Sequence, residues 1–373
     1  MIRIDRRVIK NFDWILFSVI ITICLIGIMT IYSATRPLGE EERAVFYIKQ
    51  VTWLTLGVFS LLLIVSFDYF WISRFSLIFY VIGIILLVTV LLLGRTGMGA
   101  QRWLSIGSLS FQPSEFFKLA YIIMLSRYLS ALKTPLDTIS LLRTFFFIAL
   151  LPFLLLLKQP DLGTALIVLL IFISLVIMRG LQKKVAVLLI IISLISLPFL
   201  GNIFWGGLKD YQKNRLVAFM DPEIDPSGIG YHLNQSKITV GAGKFFGKGY
   251  LRGTQGPFRF LPEKHTDFIF AVFAEEWGFF GSFILLSLYF VLIFRGLEIA
   301  KMAKDGFGRL LALGITCMFL IYFLINVGMT LGLMPVVGIP LPFMSYGGTA
   351  LLSNLIAAGI LINIRTRRFE LFH

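Results

Sequence analysis

Charge is scarce in this chain. Of its 373 residues only 14% are Asp, Glu, Lys or Arg, where a soluble globular domain carries about 25%. That scarcity excludes a water-soluble enzyme, a disordered protein and a coiled coil. Histidine is rarer still, with three residues, and there are two cysteines, Cys24 and Cys317. The cysteines form no CxxC or Cys/His pattern, which argues against a zinc site. Each lies inside an apolar run and reads as a small core residue. What is present instead is hydrophobic bulk: 58% apolar residues and 37 Phe, with a mean hydropathy of +0.89. The net charge of +14 is scattered between apolar runs rather than gathered in one patch, so no nucleic-acid partner is expected. These are the marks of a polytopic membrane protein.

A helix needs roughly 20 apolar residues to cross the hydrocarbon core. Windows of that size predict an all-α integral membrane protein, a single polytopic domain over 1–373 with ten spans. They fall at about 13–33, 45–66, 73–93, 114–130, 144–158, 161–179, 184–205, 267–294, 308–332 and 346–364. The first is too long for a secretory signal and no small-x-small cleavage site follows it, so it reads as an uncleaved span. The fifth is short and carries Pro152, which predicts a kink or tilt. Gly94, Gly97, Gly99, Gly107 and Pro113 forbid a helix over 94–113. With a cytoplasmic N-terminus, the inner segments hold 18 basic residues and the four short outer loops hold 5. The positive-inside rule then puts both termini in the cytoplasm and the long loop, about 206–266, on the outer face.

Polar residues at membrane depth are costly and are functional candidates by default. Five places stand out, all predicted near the outer face. Arg102, in GAQRWL, is either a snorkelling side chain on a surface loop or an anion-binding group. Glu115 and Lys118, in QPSEFFKL, lie at i, i+3 and can pair. They form either a structural ion pair or the polar wall of a cavity, with Pro113 opening the helix. Asp161, in KQPDLGT, can cap the sixth span, but capping does not account for Lys158 and Gln159 beside it.

The fourth place is the densest. Lys264, His265, Thr266 and Asp267 stand at the outer start of the eighth span, with Glu275 and Glu276 further in. Thr266 as N-cap and Asp267 as a first-turn carboxylate is the structural reading; a reactive carboxylate is the other. Glu275 lies eight residues beyond Asp267, about 12 Å along a helix. It therefore needs a different partner, for which Lys118 is a candidate. The fifth place, PVVGIPLPFMSYGG from Pro335 to Gly348, has three prolines and no charge. Its backbone must line a cavity or be buried in protein. Ser345, Tyr346 and Gly347 then lead into a helix N-terminus able to bind anions. The run GAGKFFGKG, 241–249, only superficially resembles a phosphate loop: Ala242 and Gly249 stand at the wrong positions for a Walker motif. Its glycines read as a loop that folds down over the membrane.

Together these residues describe an outward-facing cavity with several carboxylates, cations and a helix N-terminus. It suits a ligand anionic at its head and apolar at its tail. The stretches QPSEFFKLA, KQPDLGTAL, the run from NQSKITVGAGKFFGKGY through LPEKHTDFIFAVFAEEWGFFG, and MPVVGIPLPFMSYGGTALLSNL resemble the SEDS family (shape, elongation, division and sporulation). The likeness covers essentially the whole chain, and GKGYLRGTQ favours the elongation branch over the division branch. Thr349 and Val337 depart from the residues more usual there, without removing an ionisable group.

The resemblance implies a peptidoglycan glycosyltransferase of the bacterial cytoplasmic membrane. Such a protein polymerises lipid II onto a nascent glycan strand, with Asp267 as the essential acid of HTDF. It implies inverting transfer with release of lipid pyrophosphate. It also implies a class B penicillin-binding protein and other elongation-complex proteins as partners. The residues fit that chemistry. Asp267 would be the general base, and Arg102, Lys118 and Lys264 would meet the pyrophosphate. Glu115, Asp161 and Asp267 would suit Mg²⁺ or Mn²⁺, if a cation takes part. No nucleotide is needed, because the donor is already activated. Two alternatives remain at this point: a lipid II flippase, which needs polar groups along a path from both faces, and a scaffold that recruits a synthase.

Overall fold

The computed structural model describes residues 11–36, 40–97, 100–106, 109–188, 206–207, 210–221, 228–254 and 265–368. Twelve helices carry the argument: α1 Trp14–Ala34, α2 Glu40–Ser66, α3 Tyr69–Arg74, α4 Ser76–Leu93, α5 Pro113–Ala131, α6 Thr138–Lys158, α7 Leu162–Arg179, α8 Asp210–Met220, α9 Ile229–Ala242, α10 Ile269–Met302, α11 Gly306–Thr330 and α12 Gly348–Thr366. A three-stranded antiparallel meander, β1 Arg95–Gly97, β2 Ala100–Ile106 and β3 Leu109–Phe111, fills the glycine-rich stretch between α4 and α5.

Eight helices among the described residues are long and apolar enough to cross a membrane: α1, the Arg43–Ser66 part of α2, α4, α6, α7, α10, α11 and α12. Most of the expected seventh span, 184–205, lies outside the described residues. The fifth expected span starts earlier than its apolar run, because Asp137 accepts the Ser140 N–H at 3.2 Å and caps a polar first turn. Hydrogen bonding from Ser140 holds that carboxyl below its ordinary value. The eighth runs on to Met302, past its apolar stretch.

The bundle is apolar on its surface as well as in its core. Phe59, Phe147 and Phe290 are more than 60% exposed, as lipid-facing side chains would be. Its centre is α5, α11 and α12. On α5 even Glu115, Lys118 and Ser126 are buried. Small residues let these helices approach: Gly83 meets the Phe117 ring, Gly314 meets Ile122, and Gly359 meets the backbone of Leu61.

Two details show how this centre manages its polar backbone. Pro152 in α6 has no N–H to offer the carbonyl four residues back. A π-turn at Phe145–Ala149 precedes it, and the buried Tyr80 hydroxyl on α4 donates to the Ile148 carbonyl at 2.8 Å. At the opposite end of α1 from the cavity, Asp13 is 1% exposed. It caps α1 through the Leu16 N–H at 3.0 Å, and it accepts from Arg295 of α10 at 2.9 Å and Arg365 of α12 at 2.6 Å.

Candidate active site

Where the N-termini of α5, α7 and α12 converge with β2, α8 and the turn before α10, they enclose a cavity of about 280 Å³. Each wall is set by local sequence. Pro113 starts α5, and the first turns that follow carry Glu115 and Lys118 into the bundle. These two pair at 2.7 Å while 5% and 2% exposed. The Lys118 ammonium also stands 4.6 Å from the centre of the Tyr322 ring. Asp161 caps α7, accepting the Thr164 N–H at 3.2 Å and its hydroxyl at 2.8 Å. Arg102 of β2 reaches across, donating to the Pro160 carbonyl at 2.9 Å, with its guanidinium 3.6 Å from Asp161.

Asp267 sits in a turn, 265–268, ahead of α10. Helix α10 begins at Ile269 with Phe268 as its cap and no side-chain capping bond. The expected capping roles of Thr266 and Asp267 are therefore not realised. Instead the turn is pinned through three successive carbonyls. Tyr346 N–H donates to His265 O at 2.9 Å, the Ser345 hydroxyl to Thr266 O at 2.7 Å, and the Asn326 side-chain amide to Asp267 O at 2.9 Å. The same Asn326 amide donates to Ile339 O at 2.8 Å. Main-chain anchoring fixes the turn and places Asp267 on the cavity wall. Its Oδ2 lies 3.4 Å from where a Cβ on Gly338 would stand, and the Arg215 Nη1 lies 3.7 Å from the same point. Gly338 has φ +78°, so glycine serves both that backbone and that crowding.

The expected residues therefore divide. Arg102, Glu115, Lys118, Asp161, Asp267, Tyr346 and Gly347 all line the one cavity. Lys158 is exposed at the end of α6. Gln159 is buried but donates to Leu87 O at 2.7 Å, tying α6 to α4. His265 packs its ring against Phe46 and Tyr346. The Ser345 hydroxyl braces the turn, accepting from Leu341 N–H at 2.8 Å as it donates to Thr266. Lys264 lies outside the described residues.

Glu275 and Glu276 belong to a different cluster, which corrects the expectation that Lys118 serves them. Glu275 takes Lys248 at 2.7 Å and the Thr254 N–H at 2.8 Å, while Glu276 accepts from the Ser33 hydroxyl. Lys118 is already committed to Glu115, on its own helix. The 243–249 run lies beside this cluster. It packs backbone to backbone on a break in α10 at Gly278, where φ is 65° and ψ −162°. Four main-chain bonds join them: Lys248 N–H to Glu275 O, Gly249 to Glu276, Phe279 to Lys244 and Phe280 to Phe245.

Glu115, Asp161 and Asp267 share the cavity, but among the described residues no three His, Cys, Asp or Glu side chains stand together closely enough to hold a metal ion. As placed here, these three carboxylates do not form a cation cage.

Sequence reasoning missed Arg215, Gln112, Tyr322 and Asn326. Asn326 was legible as an amide in the apolar run LIYFLINVG, where an intramembrane polar group needs a partner. Arg215, one of several cations in a long loop, carried no such signal.

The FtsW/RodA/SpoVE family model, described as a cell cycle protein, matches residues 13–370. This chain belongs to that family. It is 44% identical to the peptidoglycan glycosyltransferase MrdB of Escherichia coli over 291 residues, covering 78% of this chain and 77% of that protein. Among solved structures it resembles a chain from a peptidoglycan synthase complex that coordinates polymerization and crosslinking, with a TM-score of 0.80 at 29% identity, covering 96% and 99% of the two chains. It also resembles the rod shape determining protein RodA of Thermus thermophilus, with a TM-score of 0.70 at 28% identity, covering 96% and 98%. Like those relatives, this FtsW/RodA/SpoVE member is a multi-pass membrane protein.

Proposed function

We propose that this chain is a peptidoglycan glycosyltransferase that polymerises lipid II at the outer face of the bacterial cytoplasmic membrane during cell elongation. Both termini lie in the cytoplasm, and a class B penicillin-binding protein is its partner. The relatives' activity supports the reaction class, and the likeness to a synthase complex supports the partner.

The observation that carries the mechanism is the placement of Asp267. Its carboxylate lines a cavity that also holds Arg102, Lys118 and Arg215, on a turn pinned by Asn326, Ser345 and Tyr346. Asp267 takes the proton from an acceptor sugar hydroxyl. The freed oxygen attacks the donor's anomeric carbon from the face opposite the lipid pyrophosphate. The anomeric C–O bond breaks, and its electron pair leaves on the pyrophosphate, whose charge the fixed cations stabilise. A positioned general base contributes typically 10²–10⁴ in rate. Cations held by neighbours before substrate arrives need no reorganisation during the reaction.

A flippase needs a polar route from both faces. Beneath Lys118 and Tyr322 the bundle is filled by Ile122, Leu125, Ile315 and Phe319, all 1% exposed or less. That apolar plug favours polymerisation over transport.

The test is Asp267→Asn, purified in detergent with the partner and given lipid II. It should keep the wild-type melting temperature and lose at least about 100-fold in glycan-strand formation. Wild-type polymerisation by this variant would remove Asp267 as the base.

A further inference from the structure

At the end of the bundle away from the cavity, charge is divided unevenly. On one side the carboxylates have cations: Asp13 takes Arg295 and Arg365, Glu298 takes Arg295, and Asp68 lies 3.7 Å from Arg367. The other side is built from the C-termini of α5 and α7 and the start of α11. Arg179, the last residue of α7, donates through Nη2 to the Ser130 and Leu132 carbonyls, where α5 ends. Its Nε is buried and has no hydrogen-bond partner among the described residues. Arg309, in the first turn of α11, is exposed, and its side chain makes no hydrogen bond or ion pair among the described residues. Helix α11 opens beside Ser130: a Cβ on Gly306 would lie 3.8 Å from that side chain. The two arginines thus approach the end of α5 from different helices, near enough for their like charges to repel. Asp137 and Asp305, on the flanking loops, are engaged as caps. Asp137 accepts the Ser140 N–H at 3.2 Å, and Asp305 accepts the Gly308 N–H at 2.8 Å and the Tyr69 hydroxyl.

We propose that Arg179 and Arg309 form a binding site for the phosphate headgroup of an anionic phospholipid, in the leaflet at the end of the bundle away from the cavity. The proposal goes beyond the glycosyltransferase reading and does not depend on it. The positive-inside bias accounts for an excess of cations at one face. It does not account for two arginines left near each other without a carboxylate while the acids of the other side are paired. An anion between them removes the repulsion and occupies open donors of both guanidinium groups. A lipid fits better than a soluble anion because Arg179 ends a span whose outward residues are apolar. Ile173, Ile177 and Met178 of α7 are exposed and lead from Arg179 along the hydrocarbon, where acyl chains lie. Basic pockets between the ends of spans are known receptors for such headgroups.

The test uses the full chain in detergent, titrated with dioleoyl phosphatidylglycerol or dioleoyl phosphatidylcholine and read by native mass spectrometry. Wild type should bind phosphatidylglycerol about 25-fold more tightly than phosphatidylcholine, about fivefold for each arginine at the membrane surface. Arg179→Gln and Arg309→Gln should each lose about fivefold of that preference, and the double variant should lose it entirely. Lys158→Gln, an exposed cation at the cavity end of α6, should behave as wild type. Phosphatidylglycerol should also raise the melting temperature of wild type and leave that of the double variant unmoved. If Arg179→Gln fails to fold for want of its bonds to α5, Arg309→Gln still decides, because that side chain holds no neighbour among the described residues.

Equal affinity of wild type for the two lipids overturns the site, and so does an Arg309→Gln protein that keeps the full preference. A loss in Lys158→Gln as large as in Arg309→Gln also overturns it, because net charge alone would then explain the binding. Glycerol 3-phosphate serves as the headgroup without its chains. It should fail to displace phosphatidylglycerol; displacement at matched concentration would make this a site for soluble phosphate and overturn the lipid assignment.

Discussion

The break in α10 offers the sharpest test of how the 243–249 segment is held. Gly278 occupies a backbone region that essentially only glycine adopts. A Cβ there would lie 2.7 Å from the Phe245 carbonyl oxygen and nearer still to the Gly247 nitrogen. Both neighbours are backbone, so neither can rotate away. Gly278→Ala therefore forces the 243–249 segment off the helix, and the four main-chain bonds between them are lost. At about 0.5–1.5 kcal/mol each, those bonds amount to about 2–6 kcal/mol of local stability. Backbone strain in the alanine adds about 1–3 kcal/mol if the segment stays put.

Hydrogen exchange in micelles, read by peptide mass spectrometry, measures the effect directly. The amides of Lys248, Gly249, Phe279 and Phe280 should exchange at least about 25 times faster than in wild type, the factor that 2 kcal/mol implies. Gly241→Ala serves as the control, because a Cβ at that position meets nothing within 4 Å. Wild-type exchange at those four amides in Gly278→Ala would refute the reasoning, since it would mean that the segment tolerates a side chain where the geometry leaves no room.

Three further outcomes follow from buried polar groups. Lys118→Met alone leaves the Glu115 carboxylate without its cation and should cost about 3–5 kcal/mol in detergent unfolding; Glu115→Gln with Lys118→Met should recover most of that and remain inactive on lipid II. Asn326→Ala strips donors from the Asp267 and Ile339 carbonyls, about 1–3 kcal/mol for each group left unsatisfied. In steady-state kinetics it should lower kcat more than it raises KM, and an unchanged kcat would show that the turn does not depend on this amide. Tyr80→Phe orphans the Ile148 carbonyl at a similar cost; adding Pro152→Ala supplies a new N–H to the same oxygen, so the double variant should melt above Tyr80→Phe.

Legibility from the sequence followed the range of the interaction. Runs of apolar residues located eight of the expected spans among the described residues, because a helix in lipid satisfies its own backbone and needs only length. The Glu115–Lys118 pair and the Asp161 cap were readable as well, being three residues apart on one helix. Longer-range choices were not. Nothing local says that Glu275 takes Lys248 rather than Lys118, or that Ser33, 243 residues away, serves Glu276. The turn at Asp267 looked like a helix start because Thr and Asp favour that position. Ser345, Tyr346 and Asn326 outbid the local preference by binding the three carbonyls of the turn. Arg215 was hidden for the same reason: only the folded chain brings α8 beside Gly338.

The knot of Asp13 with Arg295 and Arg365 bears on how the protein is made. The carboxylate precedes α1, and its guanidinium partners belong to α10 and α12, which are translated far later. Until α10 is made, α1 carries an anion whose counterions have not yet been translated. A chain truncated before Arg365 would therefore leave the buried Asp13 carboxylate with one guanidinium instead of two.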